Sequence, residues 1–121
     1  MTTIPPRLGY KRGEVVLVLY PHSDLHNAKS RPALVVQADD LKTGLPQVIV
    51  AMITSNMSRA NHPSRVLVSL STPEGRHSGL LAESIVMTDN IATVFESAID
   101  RAIGSLPMTE INSALRHTLD L

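Results

Sequence analysis

The chain has 121 residues, eleven Lys and Arg against eleven Asp and Glu, no cysteine, no tryptophan, and 43% hydrophobic residues. This is about one domain with enough apolar mass for a core, and the lack of cysteine excludes disulfide scaffolds, thiol nucleophiles and cysteine-ligated zinc. Two tyrosines and one phenylalanine are too few rings for a base-stacking platform of the OB or RRM kind.

The neutral total hides an asymmetry along the chain. Residues 1–65 hold eight basic side chains (Arg7, Lys11, Arg12, Lys29, Arg31, Lys42, Arg59, Arg65) against four acids, and the remainder three against seven. One half can therefore face phosphate while the other does not. No apolar run reaches the roughly 18 residues of a membrane span, and the N-terminus lacks the basic-then-apolar order of a signal peptide. The expected compartment is the cytoplasm, with no membrane partner.

The chain is expected to form one domain, 1–121, with residues 1–11, which include Pro5-Pro6, as a mobile arm. Two β-branched runs, Glu14 to Tyr20 and Ala33 to Gln37, are each too short for a helix and read as strands. Between them Pro21 to Arg31 reads as a loop carrying most of the polar groups a site needs. Pro32 has no N–H and opens the second strand, and it holds Arg31 extended, so that this arginine is aimed by its neighbour.

Ala38 to Pro46 is turn-rich, and Gln47 to Ile53 is a third strand that delivers Thr54, Ser55 and Asn56 to its end, where sites are commonly built. Ser58 to Pro63 reads as a loop, Arg65 to Leu70 as a fourth strand and Pro73 to Gly79 as a turn or hairpin connection. Ser84 to Thr88 is a fifth short strand, followed by a turn and a further strand piece. Glu96 to Leu106 fits helix or strand, with Gly104 against an unbroken helix.

From Thr109, the expected N-cap, the period changes. Ile111, Ala114, Leu115, Thr118 and Leu119 form one helical stripe. Five to seven short strands closed by one helix imply a mainly β fold, a small barrel with an appended helix.

Glycine-rich phosphate loops, HExxH and GxSxG are absent. His22 and His26, four apart, lie in a loop and not on a helix face, so no metal set and no cofactor are expected.

In this order the residues resemble the PemK/MazF toxins of type II toxin–antitoxin systems. The likeness runs through RGEVVLV from Arg12, KSRPALVV from Lys29 to Val36, VIVAMITSN from Val48 to Asn56, SIVMTDNIATV from Ser84 to Val94 and AIGSL from Ala102 to Leu106. It implies an SH3-like small barrel with a C-terminal helix, a homodimer, metal-independent cleavage of single-stranded RNA, and neutralisation by a cognate antitoxin that covers the site. By position, Arg31 matches the arginine of the family's RP motif and Thr54 the threonine of its TS motif. Asp89 falls where certain members carry an aspartate proposed as a general base. The arginines those members place nearby are Met87 and Ala92 here, so Asp89 either serves the fold or takes its partner from elsewhere.

Cleavage of this kind needs a base for the 2′-OH, cationic donors for the phosphorane and an acid for the leaving 5′-oxygen. It yields 2′,3′-cyclic phosphate and 5′-hydroxyl ends. Arg31 suits the donor role, because its planar fork matches phosphate oxygens, but a guanidinium that stays protonated near neutral pH makes a poor base. Histidine titrates in the useful range, which favours His26, ahead of His22, as base or acid. Thr54 donates to phosphate oxygens, and Lys29, Ser55, Asn56, Arg59 and Asp89 form the expected substrate-binding set, with His62 and Arg65 lining the groove. Two other readings compete. One is a non-enzymatic toxin like CcdB that poisons gyrase, a mode that depends on a tryptophan near the C-terminus, which this chain lacks. The other is an inactive relative that only binds its antitoxin.

Overall fold

The structure, a computed structural model, describes residues 9–21 and 28–121. Six strands form one antiparallel sheet: β1 (Glu14–Pro21), β2 (Ala28–Val35), β3 (Gln47–Thr54), β4 (Arg65–Val68), β5 (Ser84–Phe95) and β6 (Ile99–Ser105), in the order β4-β5-β3-β2-β1-β6. Helix α1 (Pro73–His77) follows β4 and helix α2 (Thr109–Leu119) ends the chain. Short 3-10 turns cover Met57–Arg59 and Glu96–Ala98.

Valine-rich runs make this sheet because both of its faces are buried at the centre. On one face Val15, Leu34, Ala51, Ile53 and Val86 pack with Ile111 of α2. On the other Val16, Val18, Ala33, Val35, Val48 and Val50 pack with Ile99. Consecutive residues alternate between these two cores, as the pleat requires, and uninterrupted apolar strands follow from it.

The mainly β architecture with a terminal helix is as expected, but the sheet is not closed into a barrel. Strand β4 has only four residues, and the chain leaves it for α1. A cleft of about 630 Å³ lies between Val66–Ser69 and the Leu106–Pro107 turn, where closure would need a ladder.

Several boundaries differ from the sequence expectation, each for a local reason. PEGRH is a helix and not a hairpin, since the Thr72 hydroxyl caps it by accepting from the Gly75 N–H at 3.0 Å and Pro73 suits its first turn. Ser84 to Phe95 is one strand, with a register shift opposite Ala51/Met52 in place of the expected turn. Ile99–Ser105 is strand; a Cβ on Gly104 would fall on the backbone of His77 and Ser78, so glycine lets α1 close onto β6. Met108, not Thr109, occupies the cap position of α2, and no side chain caps it. Of the α2 stripe, Ile111 and Ala114 are buried while Leu119 is 52% exposed.

Arg12 donates to the Val36 carbonyl and, at 2.6 Å, to Asn112 Oδ1 on α2, so this cation ties the end of the second run to the helix.

Candidate active site

Pro32 shapes the site. Val36 donates to Ile49 O on β3 at 3.1 Å, and Val35 O accepts from Gly13 on the β1 side at 2.9 Å. Even-numbered residues of β2 therefore turn their backbone groups toward β3 and odd-numbered ones toward β1. Pro32 stands where an N–H toward β3 is due and has none. The β2–β3 pairing runs from Val35↔Val50 to Ala33↔Met52 and stops, whereas β1 stays paired with β2 as far as Ala28.

Carrying the register two residues on sets Arg31 against Thr54, both on the face of Ala33, Val35 and Val50. The ladder ends here, and Arg31 and Thr54 stand as two lips at its open end. Sequence reasoning placed Arg31 in a loop with Pro32 opening the strand. In the structure β2 begins at Ala28 and Pro32 lies inside it, tolerated because pairing with β3 ends there. Arg31 is held by β1 through its pairing with Val18, while its side chain is exposed. Among the described residues no carboxylate forms an ion pair with it.

The other lip is fixed by a chain of local bonds. Thr54 Oγ1 accepts from the Asn56 N–H at 3.1 Å, and Asn56 Oδ1 accepts from Ser58 N at 3.1 Å and Ser58 Oγ at 2.7 Å. Asn56 thereby caps the Met57–Arg59 turn, so its side-chain oxygen is engaged in shaping the backbone. The Thr54 hydroxyl keeps its own proton to donate. Ser55 and Arg59 are exposed beside it, as is Lys29 on β2.

Asp89 finds its cation on β4. Arg65 grips it with Nη2 to Oδ2 at 2.8 Å and Nε to Oδ1 at 3.4 Å, and its Nη1 donates to the Arg59 carbonyl at 3.3 Å. Hydrogen bonding from Arg65, foremost, holds the Asp89 carboxyl below the usual carboxylate range. A lowered pKa suits neither an acid nor a strong base near neutral pH, and Asp89 is thus fitted to position Arg65. The sequence named both residues but not their pairing, because they are 24 positions apart and meet only through the register Arg65↔Met87. No local pattern in the sequence carries that register.

Behind this pair, Thr88, Ser64 and Thr118 share a buried hydroxyl cluster, with Thr88 Oγ1 on Ser64 O at 2.6 Å and Thr118 Oγ1 on Ser64 Oγ at 2.7 Å. It fastens α2 to β4 and β5. His62 Nδ1 accepts from Ser64 N at 3.0 Å, and the ring meets His117 edge-on at 6.2 Å.

His22 and His26 lie outside the described residues. Among the described residues no group of three His, Cys, Asp or Glu is placed to hold a metal ion, and no helix is long and apolar enough to cross a membrane. What these strand ends offer chemically is a planar cation on β2 and a hydroxyl donor on β3, groups suited to the oxygens of a phosphodiester.

The model of the PemK-like, MazF-like toxins of type II toxin–antitoxin systems matches residues 11–119. Endoribonuclease MazF6 of Mycobacterium tuberculosis is 35% identical over 107 residues, which cover 85% of this chain and 90% of that protein. A mycobacterial endoribonuclease structure superposes with a TM-score of 0.70 at 23% identity, over 97% of each chain. Another mycobacterial endoribonuclease, solved in complex with its cognate antitoxin, has a TM-score of 0.69 at 24% identity over 93% of this chain and 97% of that one. At such identities the structural likeness speaks for the fold alone.

Proposed function

This chain belongs to the PemK-like, MazF-like toxins of type II toxin–antitoxin systems and is an RNA-cleaving toxin of that kind, and from this premise we propose that it cuts single-stranded mRNA at short sequences, with Arg31 and Thr54 at the reacting phosphate. Arg31 binds the non-bridging oxygens and neutralises the charge that gathers on the phosphorane. Thr54, with Ser55, donates to the same oxygens. The 2′-OH attacks its own phosphate and the 5′-oxygen leaves, giving a 2′,3′-cyclic phosphate and a 5′-hydroxyl end, with no metal required. His26, five residues before Arg31 in sequence, moves the proton. Lys29 and Arg59 hold flanking phosphates.

The reading is supported by the end of the β2–β3 ladder before Pro32, past which Arg31 and Thr54 come next in register on one face of the sheet, Arg31 with its side chain exposed. The protein acts in the cytoplasm as a homodimer, and a cognate antitoxin silences it by covering the mouth. A gyrase-poisoning role is not favoured, since the curated relatives are endoribonucleases and the chain has no tryptophan.

The test is incubation of the purified chain with a long single-stranded RNA in EDTA, mapping of new ends, and repetition with Arg31→Ala. Discrete cuts with 5′-hydroxyl ends, lost in the variant, are expected. Undiminished cutting by Arg31→Ala overturns the assignment, and no cutting by the folded wild-type chain overturns the activity.

A further inference from the structure

A cut at a chosen sequence needs a group that tells one base from another, and the chain has only two tyrosines and one phenylalanine for stacking. Phe95 is at the far end of β5, paired with Gln47, while Thr54 is paired with Ile85. Base choice at the Arg31 and Thr54 end of the sheet therefore falls to hydrogen bonds. Lys29, Arg31 and Arg59 serve phosphate oxygens, which are alike in every nucleotide. The exposed Ser55 hydroxyl can donate or accept and so selects nothing.

Asn56 is different. An asparagine amide ordinarily offers an acceptor or a donor by turning over about its last bond. Here it cannot. The Ser58 backbone N–H, which can only donate, meets Oδ1 at 3.1 Å, and the Ser58 hydroxyl donates to the same oxygen at 2.7 Å. Turning the amide over would set N–H against N–H. The turn that supplies these bonds is itself held: Arg59 N bonds Asn56 O at 3.1 Å, Ala60 N bonds Met57 O at 3.2 Å, and Arg65 Nη1 donates to the Arg59 carbonyl at 3.3 Å. The oxygen is thus committed to the turn. Asn56 is exposed, and its Nδ2 has no hydrogen-bond partner among the described residues. It stands next to the group offered to the phosphate, because the Asn56 backbone N–H bonds Thr54 Oγ1 at 3.1 Å.

We infer that Asn56 is a specificity-determining residue, which selects a keto base, uracil or guanine, in a nucleotide beside the cleaved phosphodiester. The inference rests on the proposed ribonuclease and names part of its substrate. A free amide nitrogen with two N–H groups and no acceptor pairs with a carbonyl edge, O4 of uracil or O6 of guanine. Cytosine and adenine carry an amino group at the same place. Its N–H would meet the N–H of Nδ2, leaving both donors unsatisfied. Because the turn has already oriented the amide, little rotamer freedom is lost on binding, and the wrong base is not accommodated by turning the amide over.

Asn56→Asp tests this with little change of shape. Aspartate accepts from Ser58 as asparagine does and caps a turn as well, but its second oxygen is an acceptor where Nδ2 was a donor. Oligonucleotides carry the mapped cleavage sequence and differ only in uracil against cytosine, or guanine against adenine, at each of the two nucleotides flanking the cut. The wild type is expected to cut the keto member of one such pair roughly tenfold faster, the worth of one hydrogen bond, and Asn56→Asp to favour the amino member. Asn56→Ser, which keeps a capping oxygen and lacks the amide, is expected to cut the two alike. Where the added negative charge slows Asn56→Asp too far to time, the same ratio is read from binding of the oligonucleotides with a 2′-deoxy sugar at the attacking nucleotide. A keto preference unchanged in Asn56→Asp, or a wild type with no keto preference at either nucleotide, overturns the inference and leaves the ribonuclease standing. A folded wild type that cuts no RNA overturns both.

Discussion

Arg31 and Arg65 lie on the same face of one sheet, on β2 and β4, and the fold uses them in opposite ways. Arg65 is neutralised by a two-point grip on Asp89 and further tied to the Arg59 carbonyl. Arg31 is placed by backbone pairing with Val18 alone and has no carboxylate partner among the described residues. A guanidinium already facing a carboxylate has little left for a phosphate. Basic residues in a sequence are therefore not interchangeable as site candidates, because what matters is whether the fold has supplied the counter-charge.

The largest effect that contrast predicts is on cleavage. Arg31→Ala should lower the rate about 10²–10³-fold, the range seen when one donor to a developing oxyanion is removed. Its melting temperature should stay near that of the wild type, since the side chain is exposed. A rate close to wild type, or an unfolded variant, would erase the distinction between the two arginines. Thr54→Val keeps the shape and deletes the donor. A neutral hydrogen bond of about 1–1.5 kcal/mol corresponds to roughly tenfold in rate, measured by single-turnover cleavage. Part of any stability loss belongs to the Asn56 N–H, which loses its acceptor.

Pro32 sharpens the comparison from the backbone side. Pro32→Val restores an N–H aimed at β3 opposite Ile53 and lets the ladder run on toward Arg31 and Thr54. Slower amide exchange at Ile53 and Thr54, together with a several-fold loss of cleavage, is expected. Faster cleavage would mean that parting of the strands is not what opens the mouth.

These residues also mark how far sequence reasoning reaches. Val15, Val16, Val18 and the QVIVAMI run announce strands because β-branched side chains fill both cores, and the position of Thr54 at a strand end follows directly. Ala28–Arg31 was legible only as loop, since strand pairing on one side alone asks little of side chains and Pro32 looks like a beginning. Thr109 has the right chemistry for a cap, but the turn after Leu106–Pro107 puts Met108 in that place. The Arg65–Asp89 pair needed a β4–β5 register that no local pattern encodes. Where a residue's role is set by its own segment it can be read, and where a second segment sets it the register must come first.

Asp89→Asn is the smallest and most discriminating change. Arg65 holds the Asp89 carboxyl below its ordinary value, so the pair's contribution to stability is present above the unfolded carboxyl value of about 3.9 and is lost as pH falls through the lower folded value. With side chains 22% and 34% exposed, solvent screening keeps that contribution to about 0.5–1 kcal/mol. Urea midpoints of wild type and Asp89→Asn should differ by this little at pH 7 and draw together as acid takes the pH below the ordinary carboxylate range. Cleavage at pH 7 should remain within about threefold, because an aspartate that only positions Arg65 is absent from the reacting phosphate. A loss of cleavage comparable to that of Arg31→Ala would show that Asp89 is more than a counter-ion, and the two arginines would then have to be read as parts of one site.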